Sequence, residues 1–140
     1  MLWNSNFETG NTLVDSEHKE IFGMVDNLLT GNFAGRADKI KSAVDFLAGY
    51  VLRHFGHEEE LMSESSYPGT DIHVKQHKDF VVVVTELTKR IEKDIDSIDL
   101  SLEVNKIIVN WLAEHVMTSD KAMADHYKNW SVKRKQISPA

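Results

Sequence analysis

Four stretches of this chain carry apolar residues three and four positions apart, the spacing of one face of an α-helix, and no proline falls inside any of them. The stripes are Val14, Ile21, Val25 and Leu28; Val44, Leu47, Val51 and Leu61; Phe80, Val84, Leu87 and Ile91; and Val104, Ile108 and Trp111. Punctuation agrees with the periodicity. Thr12 or Asp15 can cap the first stretch and Gly31 ends it. The second starts after Gly35 and stops before Tyr67-Pro68-Gly69, the third opens near Thr70, and the fourth opens near Asp99 or Ser101. Each stretch is roughly 18 to 28 residues, or about 27 to 42 Å of helix. Short connections make neighbours antiparallel, so the pattern predicts an all-α fold, an up-down-up-down antiparallel four-helix bundle. The 140 residues are expected to form a single domain. The bundle covers about 12–128, preceded by a short N-terminal arm and followed by a tail that frays or makes a short extra turn after about Asn129.

Composition then limits the chemistry. The chain has no cysteine, which excludes disulfides, thiolate metal sites and thiol nucleophiles and leaves nitrogen and oxygen as ligands. Acidic residues outnumber basic ones, 22 to 16, for a net charge of −6, the wrong sign for gripping phosphate backbones, so no nucleic-acid partner is expected. The longest apolar run, Phe80 to Val84, is far short of the roughly twenty residues a membrane span needs. The stretch Met1 to Gly10 has neither the basic nor the apolar region of a secretory signal. No membrane partner, a cytoplasmic location and a monomer are therefore expected.

The seven histidines carry most of the remaining information. His18 interrupts the first stripe, His54 and Glu58 the second, His73 and His77 begin the third, and His115 extends the fourth. A lone histidine on such a stripe is more often a hydrogen-bonded boundary residue than a ligand. Here five histidines and a glutamate occupy positions that the pattern assigns to the bundle interior. Left without partners there, they would be costly to bury. They also share one level: the start of helices one and three meets the end of helices two and four in an antiparallel bundle. Metal coordination compensates such groups directly, and the i, i+4 pairs His54/Glu58 and His73/His77 each place two ligands on one helix face. His57 and His126 miss the stripes, Glu59 and Glu60 read as a solvated face, and none of these four needs a function.

Asp15-x-x-His18-Lys19, His54-Phe55-x-x-Glu58-Glu59, Tyr67-Pro68 followed by His73-x-x-x-His77, and His115-Val116-x-x-x-Asp120 together span most of the chain. In these motifs the sequence resembles the hemerythrins, in particular the single-domain bacterial members. That family itself exemplifies the up-down-up-down bundle, so resemblance and periodicity point to one architecture. The resemblance implies a non-haem centre of two iron ions (Fe2+/Fe3+) with a solvent-derived oxo or hydroxo bridge. Such a centre binds dioxygen reversibly for storage, delivery or sensing, with an oxygen-consuming enzyme as the recipient in the delivery case. It further implies His73, His77 and His115 on one iron, His18 and His54 on the other with an open position, and Glu58 and Asp120 bridging. Asp120 comes from the resemblance alone, because five residues beyond His115 it lies about 140° to 150° away around an ideal helix. A wide, π-type turn between Val116 and Asp120 would bring it round.

Leu112 and Trp111, three and four residues before His115, are candidates for the wall of the oxygen pocket, with plain core packing as the alternative. Two other functions compete with a carrier. Di-iron oxidases or peroxidases, or a nitric-oxide-reactive protein, can use a related bundle. The ferritin-like enzymes carry Glu-x-x-His motifs, and no glutamate here has a histidine three residues later. A structural zinc ion closes with four ligands, and seven candidates are too many. A non-enzymatic oxygen binder is the expectation.

Overall fold

Helix boundaries are set by side chains that take over from missing backbone partners. The computed structural model describes the backbone over residues 3–30, 37–93 and 98–137, and side chains over 3–26, 41–42, 44–93 and 106–136. Helix α1 runs Thr12–Thr30. Its cap is Asn11, whose Oδ1 accepts the Val14 N–H at 3.1 Å, one residue before the expected Thr12. Asp15 instead reaches backwards, accepting from the Thr9 N–H (2.8 Å), the Thr9 hydroxyl (2.7 Å) and the Gly10 N–H (3.2 Å). Gly10 has φ +90°, a conformation that favours glycine. The arm before α1 forms a 3-10 turn over Ser5–Phe7 and inserts Phe7 against Phe22, ring centroids 5.0 Å apart.

Helix α2, Ala37–Glu64, ends in a doubly bonded corner. The Ser66 N–H donates to the Ser63 carbonyl and the Tyr67 N–H to the Met62 carbonyl, with Ser66 at φ 53°, the position a glycine usually takes in this motif. Pro68 follows, and a Cβ on Gly69 would lie 2.8 Å from the Tyr67 ring, so glycine is needed for the close approach. Helix α3, Thr70–Lys93, starts at once, with the Thr70 hydroxyl donating to the Tyr67 carbonyl at 2.6 Å. Helix α4 is Ile98–His115, a π turn spans Val116–Asp120, and α5 is Lys121–Ile137. His115 and Lys121 both have right-handed helical dihedrals, so α4, the π turn and α5 form one continuous fourth rod.

Each helix packs on its neighbours in a closed ring, α1 on α2, α2 on α3, α3 on α4 and α4 on α1. Directions alternate: Lys41 early in α2 lies 3.6 Å from Glu92 late in α3, and Glu17 early in α1 meets His54 late in α2. The expected up-down-up-down bundle is thus the observed one. Ile21, Val25, Val44, Leu47, Val51, Phe80, Val84, Leu87, Ile91 and Ile108 from the stripes meet in the main core. Leu28 and Val104 lie outside the described side chains, and Gly31 and Gly35 outside the described residues. One expectation is corrected: the chain does not fray after Asn129 but stays helical to Ile137. Arg134 lies over the Trp130 ring at 5.2 Å, and Arg134 and Lys135 in the last turn suit the negative end of the helix dipole.

A second, smaller cluster of Val14, Met62 and Met123 closes one end of the bundle, with Leu61, Tyr67 and Val74 against it. His18 is four residues after Val14, Glu58 four before Met62 and Asp120 three before Met123. The polar level therefore lies between two apolar layers. No helix among the described residues is long and apolar enough to cross a membrane.

Replacing Asp15 by alanine leaves three donors around the buried Thr9 without their acceptor. Asp15→Ala is expected to lower stability by about 1–3 kcal/mol. In urea unfolding this appears as a lower midpoint at unchanged slope, and an unchanged midpoint would contradict the role given to Asp15.

Candidate metal centre

Every rod contributes to one buried cluster. α1 presents His18, α2 presents His54 and Glu58 one turn apart, and α3 presents His73 and His77 one turn apart. α4 ends on His115 and the π turn ends on Asp120. None of the seven is more than 5% exposed. Glu58 Oε2 lies 3.0 Å from His54 Nε2 and 3.5 Å from His18 Nε2, while its Oε1 lies 3.0 Å from His77 Nε2 and 3.3 Å from His73 Nε2. Asp120 Oδ2 is 2.9 Å from His18 Nε2, and its Oδ1 is 3.0 Å from His115 Nε2 and 3.1 Å from His73 Nε2. The donors fall into two sets that share both carboxylates: Glu58, His73, His77, His115 and Asp120, and His18, His54, Glu58 and Asp120.

The π turn is what admits Asp120. The Lys121 N–H reaches back five residues to the Val116 carbonyl, which widens the helix by one residue and swings Asp120 onto the face occupied by His115. Thr118 donates its hydroxyl to the Glu114 carbonyl at 2.7 Å, and Ser119 donates to Gln76 Oε1 on α3 at 2.6 Å, which fixes the turn against its neighbour.

Short separations do not make this a closed hydrogen-bond network. His18 Nε2, His115 Nε2, Glu58 Oε2 and both Asp120 oxygens are buried without an aligned hydrogen-bond partner. Nitrogen and oxygen atoms 2.9 to 3.5 Å apart that fail to align with one another converge instead on the space between them. Orphaned buried groups of this kind are expensive, and cations placed between them satisfy all of them at once. Imidazole and carboxylate donors suit first-row transition metals. The residues fit a metal-binding site, with two sets of donors that have Glu58 and Asp120 in common.

Aromatic rings wall the cluster on the core side. Phe55 stacks on His77 at 3.8 Å with 6° between planes, and Trp111 stacks on His115 at 4.5 Å with 18°. Phe80 lies 4.3 Å from Trp111, and Leu112 is buried in the same core. Three residues beyond the expected set also matter. Glu17, 6% exposed, accepts from His54 Nδ1 at 3.0 Å and from His57 Nδ1 at 2.8 Å. Glu59 Oε2 accepts from His77 Nδ1 at 3.2 Å. His57 and Glu59 are thus tied to the cluster rather than to solvent alone. Position 17 could have been found, because it lies three residues after Val14 and four before Ile21 and so faces inward beside His18. His126 is half-buried, with Nε2 2.9 Å from the Ser65 carbonyl, and ties α5 to the end of α2.

In the metal-free protein, protons take part of the role of the cations. Burial opposes charge on His18 and His73, but Asp120 and Glu58 outweigh it and raise each to about 9. His54 is raised in the same way, against its burial, by Glu58. Burial pushes Glu58 up, yet His18, His54, His73 and His77 hold it well below the usual carboxylate range. Burial and Glu58 push Asp120 up, and His115, His18 and His73 hold it down. The stabilisation from His18 and His73 is complete below their ordinary 6.5 and disappears as pH rises through about 9. That from Glu58 and Asp120 is present above the ordinary carboxylate range and is lost on acidification. Thermal melts of chelator-treated protein are expected to show a falling Tm between about pH 6.5 and 9. A flat Tm across that interval would contradict these pairings.

The family model described as Hemerythrin HHE cation binding domain matches residues 9–127. A bacteriohemerythrin of Stenotrophomonas maltophilia (strain R551-3) is 28% identical over 128 residues, covering 91% of this chain and 82% of its own. A hemerythrin of Themiste dyscrita is 31% identical over 118 residues, covering 84% of this chain and 86% of its own. The crystal structure of a wild-type hemerythrin superposes with a TM-score of 0.81 at 27% identity, covering 91% of this chain and 97% of that one. Sequence and fold agree over the same span that holds the buried cluster, and the chain belongs to the hemerythrin family.

Proposed function

We propose that this protein binds dioxygen reversibly at two iron ions held by His18, His54, Glu58, His73, His77, His115 and Asp120, as a carrier or store rather than an enzyme. The observation that carries the proposal is the unequal division of the donors: three histidines in one set and two in the other, with Glu58 and Asp120 common to both. The second set offers one donor fewer, which suits a site that must keep a position for an exogenous ligand. When bound, a ferrous pair supplies two electrons that dioxygen can accept and return on release, with a solvent-derived bridge between the ions.

The chain's own residues control what surrounds that chemistry. Five imidazoles and only two carboxylates make the donor set rich in histidine and poor in carboxylate, unlike the ferritin-like enzymes with their Glu-x-x-His motifs. Leu112, one turn before His115 and buried, together with Trp111 stacked on His115, would form an apolar wall that excludes water. As a monomer in the cytosol, such a protein would hold oxygen in reserve or hand it to an oxygen-consuming enzyme.

Absorption spectra test the reading. The iron-loaded, reduced protein is expected to colour on exposure to oxygen and to bleach under vacuum over repeated cycles. Continuous oxygen consumption with added reductant and no reversible adduct would instead establish an oxidase. In the same assay Leu112→Ala is expected to speed autoxidation by admitting solvent, by about tenfold if the wall supplies about 1.4 kcal/mol of protection. An unchanged rate would remove Leu112 from that role.

A further inference from the structure

Among the described residues three carboxylates are buried, and the proposed centre uses only two of them, Glu58 and Asp120. The third is Glu17, on α1 beside His18. Its Oε1 accepts from His54 Nδ1 at 3.0 Å, and His57 Nδ1 donates to both oxygens, 2.8 Å from Oε2 and 3.0 Å from Oε1. A carboxylate only accepts, so each ring presents an N–H there. For His54 the consequence is specific: with its hydrogen on Nδ1, the lone pair of the neutral ring lies on Nε2, the atom 3.0 Å from Glu58 Oε2. His57 straddles the same carboxylate, so swinging Glu17 away from His54 would break its contacts with His57 too.

Other histidines of the cluster are held differently. His77 Nδ1 donates to Glu59, whose side chain is 40% exposed, and water screens that charge. Glu17 has a side chain only 8% exposed, so its charge acts through a medium of low dielectric. His18, which shares the set of His54, has its Nδ1 buried with no hydrogen-bond partner among the described residues. Two divalent ions carry more positive charge than Glu58 and Asp120 offset, and Glu17 is the one further carboxylate buried among the described residues.

From this geometry we infer that Glu17, clamped by His57, is a positioning residue for His54, and that it makes the His18/His54 position electronically distinct from its neighbour. The inference rests on the two-ion reading of the cluster. A carboxylate that accepts from a coordinating imidazole fixes its tautomer and raises its basicity, and loss of such a partner typically weakens metal binding about 10- to 100-fold. The added negative charge also favours the ferric over the ferrous state of the ion that His54 would hold.

Anaerobic ferrous titration against a competing chelator, followed by potentiometry of the loaded protein, tests this with wild type, Glu17→Ala and Glu17→Gln. Wild type is expected to bind two equivalents. Glu17→Ala is expected to weaken one equivalent by about 10- to 100-fold and leave the other unchanged. Glu17→Gln keeps an acceptor for the His54 N–H and so retains both equivalents, but its reduction potential shifts upward because the charge is gone. Should Glu17→Ala fail to fold, as judged by circular dichroism of the metal-free protein, the potential of Glu17→Gln decides. Two wild-type equivalents together with an unchanged potential in Glu17→Gln, or unchanged affinities in a folded Glu17→Ala, would overturn the role of Glu17 while leaving the two-ion reading intact. Fewer than two wild-type equivalents would overturn both.

Discussion

Two carboxylates and five imidazoles meet at one level of a helical bundle, between two apolar layers and out of reach of bulk water. Burying a carboxylate beside unsatisfied ring nitrogens costs several kcal/mol unless something compensates it, and several of these atoms lack an aligned protein partner. Much else in the structure follows from that constraint. The phase of each helix must turn its polar residues to the same point, so the tight corner at Ser66 and Gly69 matters as much for placing Glu58 opposite His73 and His77 as for reversing the chain. Val14, Met62 and Met123 then close the end that would otherwise admit water.

The fourth rod shows the same constraint acting on the backbone. A regular α-helix through Val116–Asp120 would direct His115 and Asp120 to different faces, and one carboxylate would be lost from both donor sets. The π turn accepts poorer hydrogen-bond geometry in exchange for that carboxylate. The Ser119 hydroxyl donating to Gln76 on α3 and the Thr118 hydroxyl donating to the Glu114 carbonyl tie the turn down. The rings of Phe55 and Trp111 stacked on His77 and His115 restrict how far those imidazoles can swing, so the donors are held in place before any ion arrives.

The four stripes of apolar residues were legible because helical burial leaves a period of 3.6, and polar residues at those positions stand out against it. His18, His54, Glu58, His73, His77 and His115 were visible for that reason. Asp120 was not visible from periodicity, because a π turn has no period to read and only the match to family motifs supplied it. Glu17 was overlooked although it shares the inward face with His18, since a single charged residue near the edge of a stripe looks like a solvated one. Its role depends on His54 and His57, 37 and 40 residues away, and no local pattern encodes that contact. His57 and Glu59 were misjudged in the same way. The helical continuation to Ile137 was obscured because its support, Arg134 over Trp130, lies on the surface rather than in a core stripe.

On the proposed reading these seven side chains hold two metal ions and share Glu58 and Asp120 between them. Anomalous diffraction at the iron edge from crystals of the iron-loaded protein tests it most directly. Two peaks per chain are expected, one within bonding distance of His73, His77 and His115, the other within bonding distance of His18 and His54, and both touching Glu58 and Asp120. A single peak, or two peaks with either carboxylate bound to only one ion, would contradict it.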